Sequence, residues 1–509
     1  MSGDRKKPES DNFLLTEQHT SYRQIMKTTS LFGGVQAFQI IIQIIRSKFV
    51  AILLGPTGMG IAGLLTATIG FISGISNFGL GTSAVKDIAA ANGTSNQIRI
   101  AIKVIVLRRL VWITGTVGAL LTLVLSPLLS KLTFGNQNYT FAFIWISITL
   151  LFTQLTSGQI ALLQGMRKLQ YLAKANLFGS IFGLITTVPL YYIWGNDGIV
   201  PGIIVTSFIT LLLSWYFSHR VKIQPVKVTY IRTFAEGKSM LNLGFIISLT
   251  GIMSVGSSYI VRIFISNTGG LEQIGLYSGG FAIINTYVGL IFTAMATDYY
   301  PRLAALANNN KLCQQSINQQ AEIAILILAP ILLVFLVFIN WVVILLYSTK
   351  FIAINEMIYW AALGVFFKAA SWTVAFIFLA KGSSKLFFWN EFVSNIYMLG
   401  LNLLGYKLMG LMGLGVSYMV GYMLYLIQVF FLSNFKFEFS FDYAFIRIFS
   451  FQFSLAVGSF FTVRLLSKPY NYFVGLVLIA FSSWYSIVEL DKRIGLKTLL
   501  ISIKNRLKQ

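Results

Sequence analysis

The stretch "AEIAILILAPILLVFLVFINWVVILLY", residues 321–347, decides the fold class, because Glu322 is its only charged side chain. A helix rises 1.5 Å per residue, so about 20 residues cross a ~30 Å hydrocarbon core. Similar apolar runs recur along the chain, which is 56% hydrophobic and only 11% charged. A soluble domain of this size needs more charge at its surface. The sequence therefore predicts an all-α polytopic membrane protein.

The apolar runs predict fourteen transmembrane spans, of which the first twelve form two sets of six. The second set repeats the first weakly, because "LLSKLTF" from Leu128 and "LLYSTKF" from Leu345 both follow the third helix of their set. A parallel repeat of this kind predicts two pseudo-symmetric six-helix lobes around a central cavity. The predicted segments are an N-terminal tail (1–27), a first lobe (28–217), a linker (218–239), a second lobe (240–434), two additional spans (435–490) and a basic C-terminal tail (491–509).

The basic residues predict the orientation of the chain in the membrane. Of 39 Lys and Arg, 30 lie on the side of the N-terminus, so the positive-inside rule predicts that both termini are cytoplasmic. Because these residues sit between apolar runs, the net charge of +23 does not indicate a nucleic-acid partner. Cys313 is the only cysteine, and His19 and His219 are the only histidines. The sequence therefore predicts neither a disulfide framework nor a metal site, and no cofactor is expected.

One glycine pattern matches a nucleotide-binding motif without its context. Gly58, Gly60 and Gly63 fit G-x-G-x-x-G, but this pattern indicates a dinucleotide site only between a strand and a helix. Here it joins two membrane helices, which favours a tight turn and close helix packing. No hydrolase or P-loop motif is present, and the predicted outer loops contain few acids, such as Asp197 and Glu272. A transporter is therefore predicted rather than an enzyme.

The first span, "FQIIIQIIRSKFVAILLG" at residues 38–55, carries charges inside an apolar run. At 100° per residue, Gln36, Gln39, Gln43 and Arg46 fall within about 80° of one another, whereas Lys48 points almost opposite. Such a polar stripe is typical of the wall of a wet cavity. The alternative is that Arg46 and Lys48 lie near the membrane surface and extend their charged ends to water.

Two further cations lie inside spans of the second lobe. Lys368 is roughly 17 Å from either end of its span, too far for its ammonium group to reach water easily. Glu391 follows in the next span, and the two residues are predicted to form an ion pair. Arg262 in the seventh span lines the cavity or reaches the surface. Because the first six spans contain no acid, the cavity is predicted to attract an anion.

The opening block resembles a known family of transporters. Residues 47–89, "SKFVAILLGPTGMGIAGLLTATIGFISGISNFGLGTSAVKDIA", and residues 387–395, "FFWNEFVSN", are similar to the Wzx-type flippases of O-antigen and enterobacterial common antigen precursors. These flippases form the polysaccharide transporter branch of the multidrug/oligosaccharidyl-lipid/polysaccharide (MOP) exporter superfamily. The resemblance implies alternating access, a bacterial inner-membrane location and an undecaprenyl-diphosphate-linked oligosaccharide as cargo. It also implies a polysaccharide polymerase and a chain-length regulator as partners.

The resemblance also implies roles for individual residues. The family places cations at Lys48, Arg262 and Lys368 and an acid at Glu391, a candidate for coupling-ion binding. Arg46 matches an arginine of the related lipid II flippases that is implicated in holding the diphosphate. Those relatives also carry an arginine in the eighth helix, which residues 281–285 lack, so Arg262 is expected to replace it. A MATE-like drug or cation antiporter and a membrane-embedded polysaccharide polymerase are the alternatives.

Overall fold

A computed structural model describes residues 38–94 and 96–494, and the regular elements within these residues are helices. In chain order they are α1 (described over residues 38–53), α2 (Gly55–Ser76), α3 (Leu80–Gly93), α4 (Gln97–Val124), α5 (Ser126–Phe134), α6 (Thr140–Gly165), α7 (Leu169–Trp194), α8 (Ile199–His219), α9 (Tyr230–Ala282), α10 (Gly289–Ala305), α11 (Asn310–Leu346), α12 (Asn355–Ala380), α13 (Ser384–Phe437), α14 (Tyr443–Leu465) and α15 (Tyr470–Ile494). Short 3-10 helices cover Gly195–Gly198 and Thr349–Ile354, and a π-helix covers Ile283–Tyr287.

The helices are long and apolar enough for a multi-pass membrane protein. Ten helical segments of the described residues could cross a membrane by length and composition. One of them, Leu169–His219, joins α7 to α8, and two others contain a break at Gly270 or Gly410, where φ is 83° and 59°. Glycine adopts such positive φ angles without a steric penalty. The predicted all-α polytopic class is confirmed, whereas the number of fourteen spans stays a prediction.

Backbone contacts divide the described residues into two compact units. The first unit contains residues 38–53, 68–132 and 136–251, and the second contains residues 54–67, 133–135 and 252–494. The beginning of α2 thus packs with the second unit, although it precedes most of the first in sequence. The predicted lobe boundaries, 28–217 and 240–434, stay predictions.

In the first unit, α4 and α6 pack closely in opposite directions. A Cβ atom on Gly158 would meet Val111 at 3.0 Å, and one on Gly115 would meet Gln154 at 3.1 Å. The contact positions rise along α4 while they fall along α6, so the two helices are antiparallel. Small residues allow this approach, which supplies much of the packing energy between helices in lipid.

A cluster of charged residues holds the start of α9 against α3 and α4. Lys103 Nζ lies 2.9 Å from Glu236 Oε2 and 3.6 Å from Asp87 Oδ2. Ser239 also donates a hydrogen bond of 2.8 Å to Asp87. The hydrogen bond from Lys103 lowers the pKa of Glu236 below its usual value. These contacts hold the start of α9 within the first unit.

In the second unit, the beginning of α2 packs directly on α9. A Cβ atom on Gly60 would overlap the carbonyl oxygen of Leu271, and one on Gly275 would overlap that of Pro56. Side chains larger than hydrogen are therefore excluded from this contact. The close helix packing predicted from the glycine pattern is confirmed at Gly60.

Buried polar groups join the last two helices of the second unit to each other and to α11. Gln452 on α14 donates a hydrogen bond of 2.9 Å to Ser486 on α15. Near the end of α15, Arg493 lies 2.5 Å from Glu322 of α11 and 2.5 Å from Glu489. Breaking a buried pair strands a charge and is strongly destabilising, so these contacts keep α15 on α11.

Two alanine substitutions on α2 test the packing of this helix. Gly60→Ala should destabilise the protein by about 1–3 kcal/mol, because the new methyl group must displace backbone of α9. Gly70→Ala on the same helix is the control, since a Cβ atom there meets nothing within 4 Å. It should be neutral or stabilising by up to ~1 kcal/mol through helix propensity. Thermal unfolding of both variants in detergent measures the difference, and equal unfolding temperatures would contradict the packing argument.

Candidate functional site

Lys368 lies on α12 among amide and aromatic groups. Its ammonium nitrogen is 3.2 Å from Asn285 Oδ1 and 3.2 Å from the hydroxyl oxygen of Tyr418. The same nitrogen lies 5.5 Å from the ring centre of Phe292 and 5.3 Å from that of Tyr422. Aromatic rings attract a cation through their negative faces, most strongly where water is excluded. The charge of Lys368 is therefore stabilised by neutral groups.

The backbone around Asn285 departs from a regular α-helix. Residues Ile283–Tyr287 form a π-helix, closed by a hydrogen bond of 3.2 Å from the Val288 amide to the Ile283 carbonyl. Such insertions are rare and occur frequently at functional sites. Here the π-helix contains the asparagine that contacts Lys368. It also overlaps residues 281–285, the segment in which the resemblance leads one to look for an arginine.

Arg262 is held by one hydrogen bond and two aromatic rings. Its Nη1 atom donates a hydrogen bond of 2.8 Å to Ser278 Oγ, and its guanidinium carbon lies 5.4 Å from the ring centre of Tyr277 and 5.6 Å from that of Phe281. A Cβ atom on Gly63 would meet the Ser278 hydroxyl at 2.8 Å and Arg262 at 3.6 Å. The glycine of α2 therefore leaves room for the arginine and its partner.

The neighbours of both cations line one cavity of about 60 Å³ in the second unit. Its polar and aromatic lining residues are Tyr277, Phe281, Asn285, Asn402 and Tyr418. A buried water needs roughly 10–15 Å³, so the cavity has room for a few waters. No lining residue is acidic, and Arg262 and Lys368 both contact the lining. Within the described residues, no group of three His, Cys, Asp or Glu could hold a metal ion.

Glu391 does not form the predicted ion pair with Lys368. Its Oε1 atom accepts hydrogen bonds of 2.5 Å from the Tyr425 hydroxyl and 3.1 Å from Asn390 Nδ2. Gln428 holds Asn390 in place through a hydrogen bond of 2.8 Å. The prediction of a direct pair was wrong, because Glu391 bonds to Tyr425 and to the adjacent Asn390, both on α13, whereas Lys368 bonds to Asn285 and Tyr418.

Three tyrosines connect the surroundings of the two charges. Tyr418, Tyr422 and Tyr425 lie on one face of α13 at helical spacing. Their ring centres are 4.7 Å apart for the first pair and 6.4 Å apart for the second. The first tyrosine contacts Lys368 and the last contacts Glu391. Sequence reasoning missed these residues, although Tyr-x3-Tyr-x2-Tyr in an apolar span is a recognisable signal.

The polar stripe of α1 is unpaired within the described part of the chain. The side chains of Gln39, Gln43 and Arg46 make no hydrogen bond or ion pair with any described residue, whereas Lys48 has an interaction partner. Gln43 is exposed, and Arg46 is partly exposed. Gln36 lies outside the described residues. Of the predicted cations, Arg46 and Lys48 belong to the first unit and Arg262 and Lys368 to the second.

Double-mutant cycles test which of these contacts are coupled. Lys368→Gln and Tyr418→Phe remove two groups in direct contact, so their effects on the free energy of unfolding should couple by about 0.5–3 kcal/mol. Lys368→Gln and Glu391→Gln should add to within about 0.5 kcal/mol, because the two side chains do not touch. Unfolding in a denaturing detergent measures both cycles. Strong coupling in the second cycle would mean that Lys368 and Glu391 interact directly.

Comparison of the sequence with known proteins shows the family of this chain. The family described as polysaccharide biosynthesis protein matches residues 49–356, more than half of the chain. The lipid III flippases of Escherichia coli (strain K12) and Shigella flexneri are both 19% identical over 345 residues, or 67% of this chain and 81% of each relative.

Solved structures show the same fold at low sequence identity. A lipid II flippase MurJ in an inward closed conformation has a TM-score of 0.68 at 13% identity, covering 91% of this chain and 99% of that chain. An inward-facing multidrug resistance MATE family transporter of the MOP superfamily has a TM-score of 0.63 at 15% identity, covering 79% of this chain and 94% of that chain. The chain therefore belongs to the polysaccharide biosynthesis protein family and is a membrane transporter with the fold of the MOP superfamily.

Proposed function

We propose that this transporter is a flippase for an undecaprenyl-diphosphate-linked oligosaccharide, the repeat unit of O-antigen or a related surface polysaccharide. By alternating access it moves the head group from the cytoplasmic to the periplasmic leaflet of the bacterial inner membrane. The family match and the two lipid III flippase relatives support a lipid-linked cargo. A polysaccharide polymerase and a chain-length regulator are the expected partners, because they act on the flipped product.

The observation that carries the proposal is the unpaired stripe on α1. The side chains of Arg46, Gln39 and Gln43 make no hydrogen bond or ion pair with the described residues. Charged residues inside a membrane protein usually pair with one another or mark a substrate path. A guanidinium can bind a phosphate through two parallel hydrogen bonds, and glutamine amides can donate to and accept from sugar hydroxyls. The stripe thus offers the contacts that a sugar diphosphate requires.

The second unit contains further side chains that suit an anion or a sugar. Arg262 and Lys368 contact the lining of one cavity, and Asn285, Asn402 and Tyr418 line it directly. Positive charges without nearby acids favour a dianionic diphosphate over a cation. Glu391, which accepts hydrogen bonds from Tyr425 and Asn390, remains a candidate for binding a coupling ion.

The residues described above do not favour the two alternative functions, a drug or cation antiporter and a polysaccharide polymerase. A drug or cation antiporter shares the fold, but it would use carboxylates at its binding site, and no acidic residue lines the cavity of the second unit. A polymerase would be expected to use a large periplasmic loop. The connections that the positive-inside rule places outside are short, among them residues 135–139 and 195–198.

Substitutions of Arg46 test the proposal. Arg46→Ala should reduce flipping of a short diphosphate-linked oligosaccharide by about 10–100-fold, the loss of roughly 1.5–3 kcal/mol from charged hydrogen bonds. Arg46→Lys should retain part of the activity, because an ammonium keeps the charge without the paired geometry. Arg232→Ala is the matched control, since Arg232 is exposed at the start of α9, within the linker predicted at residues 218–239. Flipping is measured in reconstituted vesicles at equal protein abundance.

Normal flipping by Arg46→Ala would show that the α1 stripe is not part of the substrate site. Deletion of the gene distinguishes a flippase from an antiporter. The proposal requires an undecaprenyl-linked oligosaccharide to accumulate on the cytoplasmic leaflet, and its chemical analysis names the sugars. Altered drug resistance without such accumulation would favour the antiporter.

Reporter fusions test the proposed orientation. Fusions after Arg220 and after Arg493 should both report a cytoplasmic location, because most basic residues lie on that side. A periplasmic signal after Arg493 together with a cytoplasmic signal after Arg220 would mean an odd number of spans between them. A fusion within the short segment Gly195–Gly198 is the control and should report the periplasm.

A further inference from the structure

The first unit contains a cavity of its own, separate from the candidate site described above. It has a volume of about 360 Å³ and lies between α4, α6 and α8. This volume falls within the range of small-molecule sites. Most of its wall is aliphatic or aromatic, including Leu151, Phe152, Leu155 and Leu211. Its polar lining comes from Arg108, Gln159 and His219.

The directions of the helices bring these polar residues to one end of the cavity. α6 and α8 run in the same direction, because Phe152 packs on Phe208 at 5.5 Å and, further along both helices, Ser218 donates a hydrogen bond of 2.5 Å to Gln159. α4 runs opposite to α6, as the glycine contacts above establish. A residue early in α4 therefore lies level with residues late in α6 and α8. The cavity thus has a polar end and an apolar body.

Arg108 supplies an unsatisfied positive group at the polar end. Its Nε atom is buried and has no hydrogen-bond partner. Leaving a buried polar group unpaired is costly, and an unpaired charged donor costs more. No acidic residue lines the cavity, and the oxygen of Gln159 already accepts the hydrogen bond from Ser218. The site therefore lacks an anionic acceptor for Arg108.

The cavity opens on the surface of the helices. Trp112, Leu212 and Trp215 line it and are 55%, 45% and 49% exposed. In a membrane protein, exposed apolar residues of a spanning helix face lipid. Tryptophan is enriched where the hydrocarbon meets the head groups. A ligand would thus enter from the bilayer at the depth of the lipid phosphates.

We propose that this cavity binds an anionic glycerophospholipid, with the phosphate at Arg108 and an acyl chain along the apolar wall. A phosphate oxygen accepts a hydrogen bond from the buried Nε of Arg108, and the chain covers the leucine and phenylalanine side chains. Basic pockets between transmembrane helices bind the head groups of such lipids. The site is separate from the α1 stripe, so it does not depend on the identity of the transported oligosaccharide.

Native mass spectrometry of the full chain in detergent tests the site. Phosphatidylglycerol is titrated onto the wild type and onto Arg108→Gln, which should bind about tenfold more weakly, or about 1.4 kcal/mol. Arg99→Gln is the matched control, because Arg99 is exposed on the same helix and does not line the cavity. Leu212→Trp should also reduce binding, since it fills the opening with a larger side chain. Unfolding temperatures establish that each variant is folded.

Three results would overturn the proposal. Equal phosphatidylglycerol affinity in the wild type, Arg108→Gln and Leu212→Trp would show that the lipid binds elsewhere. Equal affinity for phosphatidylcholine would remove the requirement for an anionic head group. Displacement of the lipid by inorganic phosphate at the same concentration would mean that the site takes a free phosphate.

Discussion

The scarcity of hydrogen-bond partners in a hydrocarbon core is the constraint on which the rest of this structure depends. A backbone without water must satisfy its own polar groups, which restricts spanning segments to helices in this chain. The same constraint makes each charged side chain inside a span expensive unless something stabilises it. The breaks at Gly270 and Gly410 fall within α9 and α13, where a positive φ turns the chain without a long loop.

The intramembrane charges meet this constraint in different ways. Lys368 contacts an amide oxygen, a hydroxyl group and aromatic rings, and Arg262 contacts a serine hydroxyl and two aromatic rings. Glu391 accepts from a tyrosine and an asparagine. Each of these residues is therefore stabilised without a countercharge. Arg46 differs, because its side chain has no hydrogen bond or ion pair with the described residues, and this difference is why we propose a ligand for it.

Close packing of small residues determines where these groups lie. Gly60 lets α2 approach the backbone of α9, and Gly63 leaves space beside Ser278 and Arg262. Because dispersion and close contact drive helix association in lipid, a methyl group at Gly60 would displace the backbone of α9, and one at Gly63 would crowd the Ser278 hydroxyl that holds Arg262. The glycine pattern, which would indicate a nucleotide site in another fold, here positions a cation.

The sequence by itself determined the helical membrane class, the cations inside the spans and the polar stripe of α1, because periodicity along one helix defines its faces. Only the tertiary structure decided which groups meet across helices. Lys368 contacts Asn285 and Tyr418, which are 83 and 50 residues away, and does not contact Glu391. It also decided that Arg108, Gln159 and His219 share one end of a cavity. The physical reason is that contacts between helices depend on the direction and packing of several segments at once, and spacing within one segment carries no information about them.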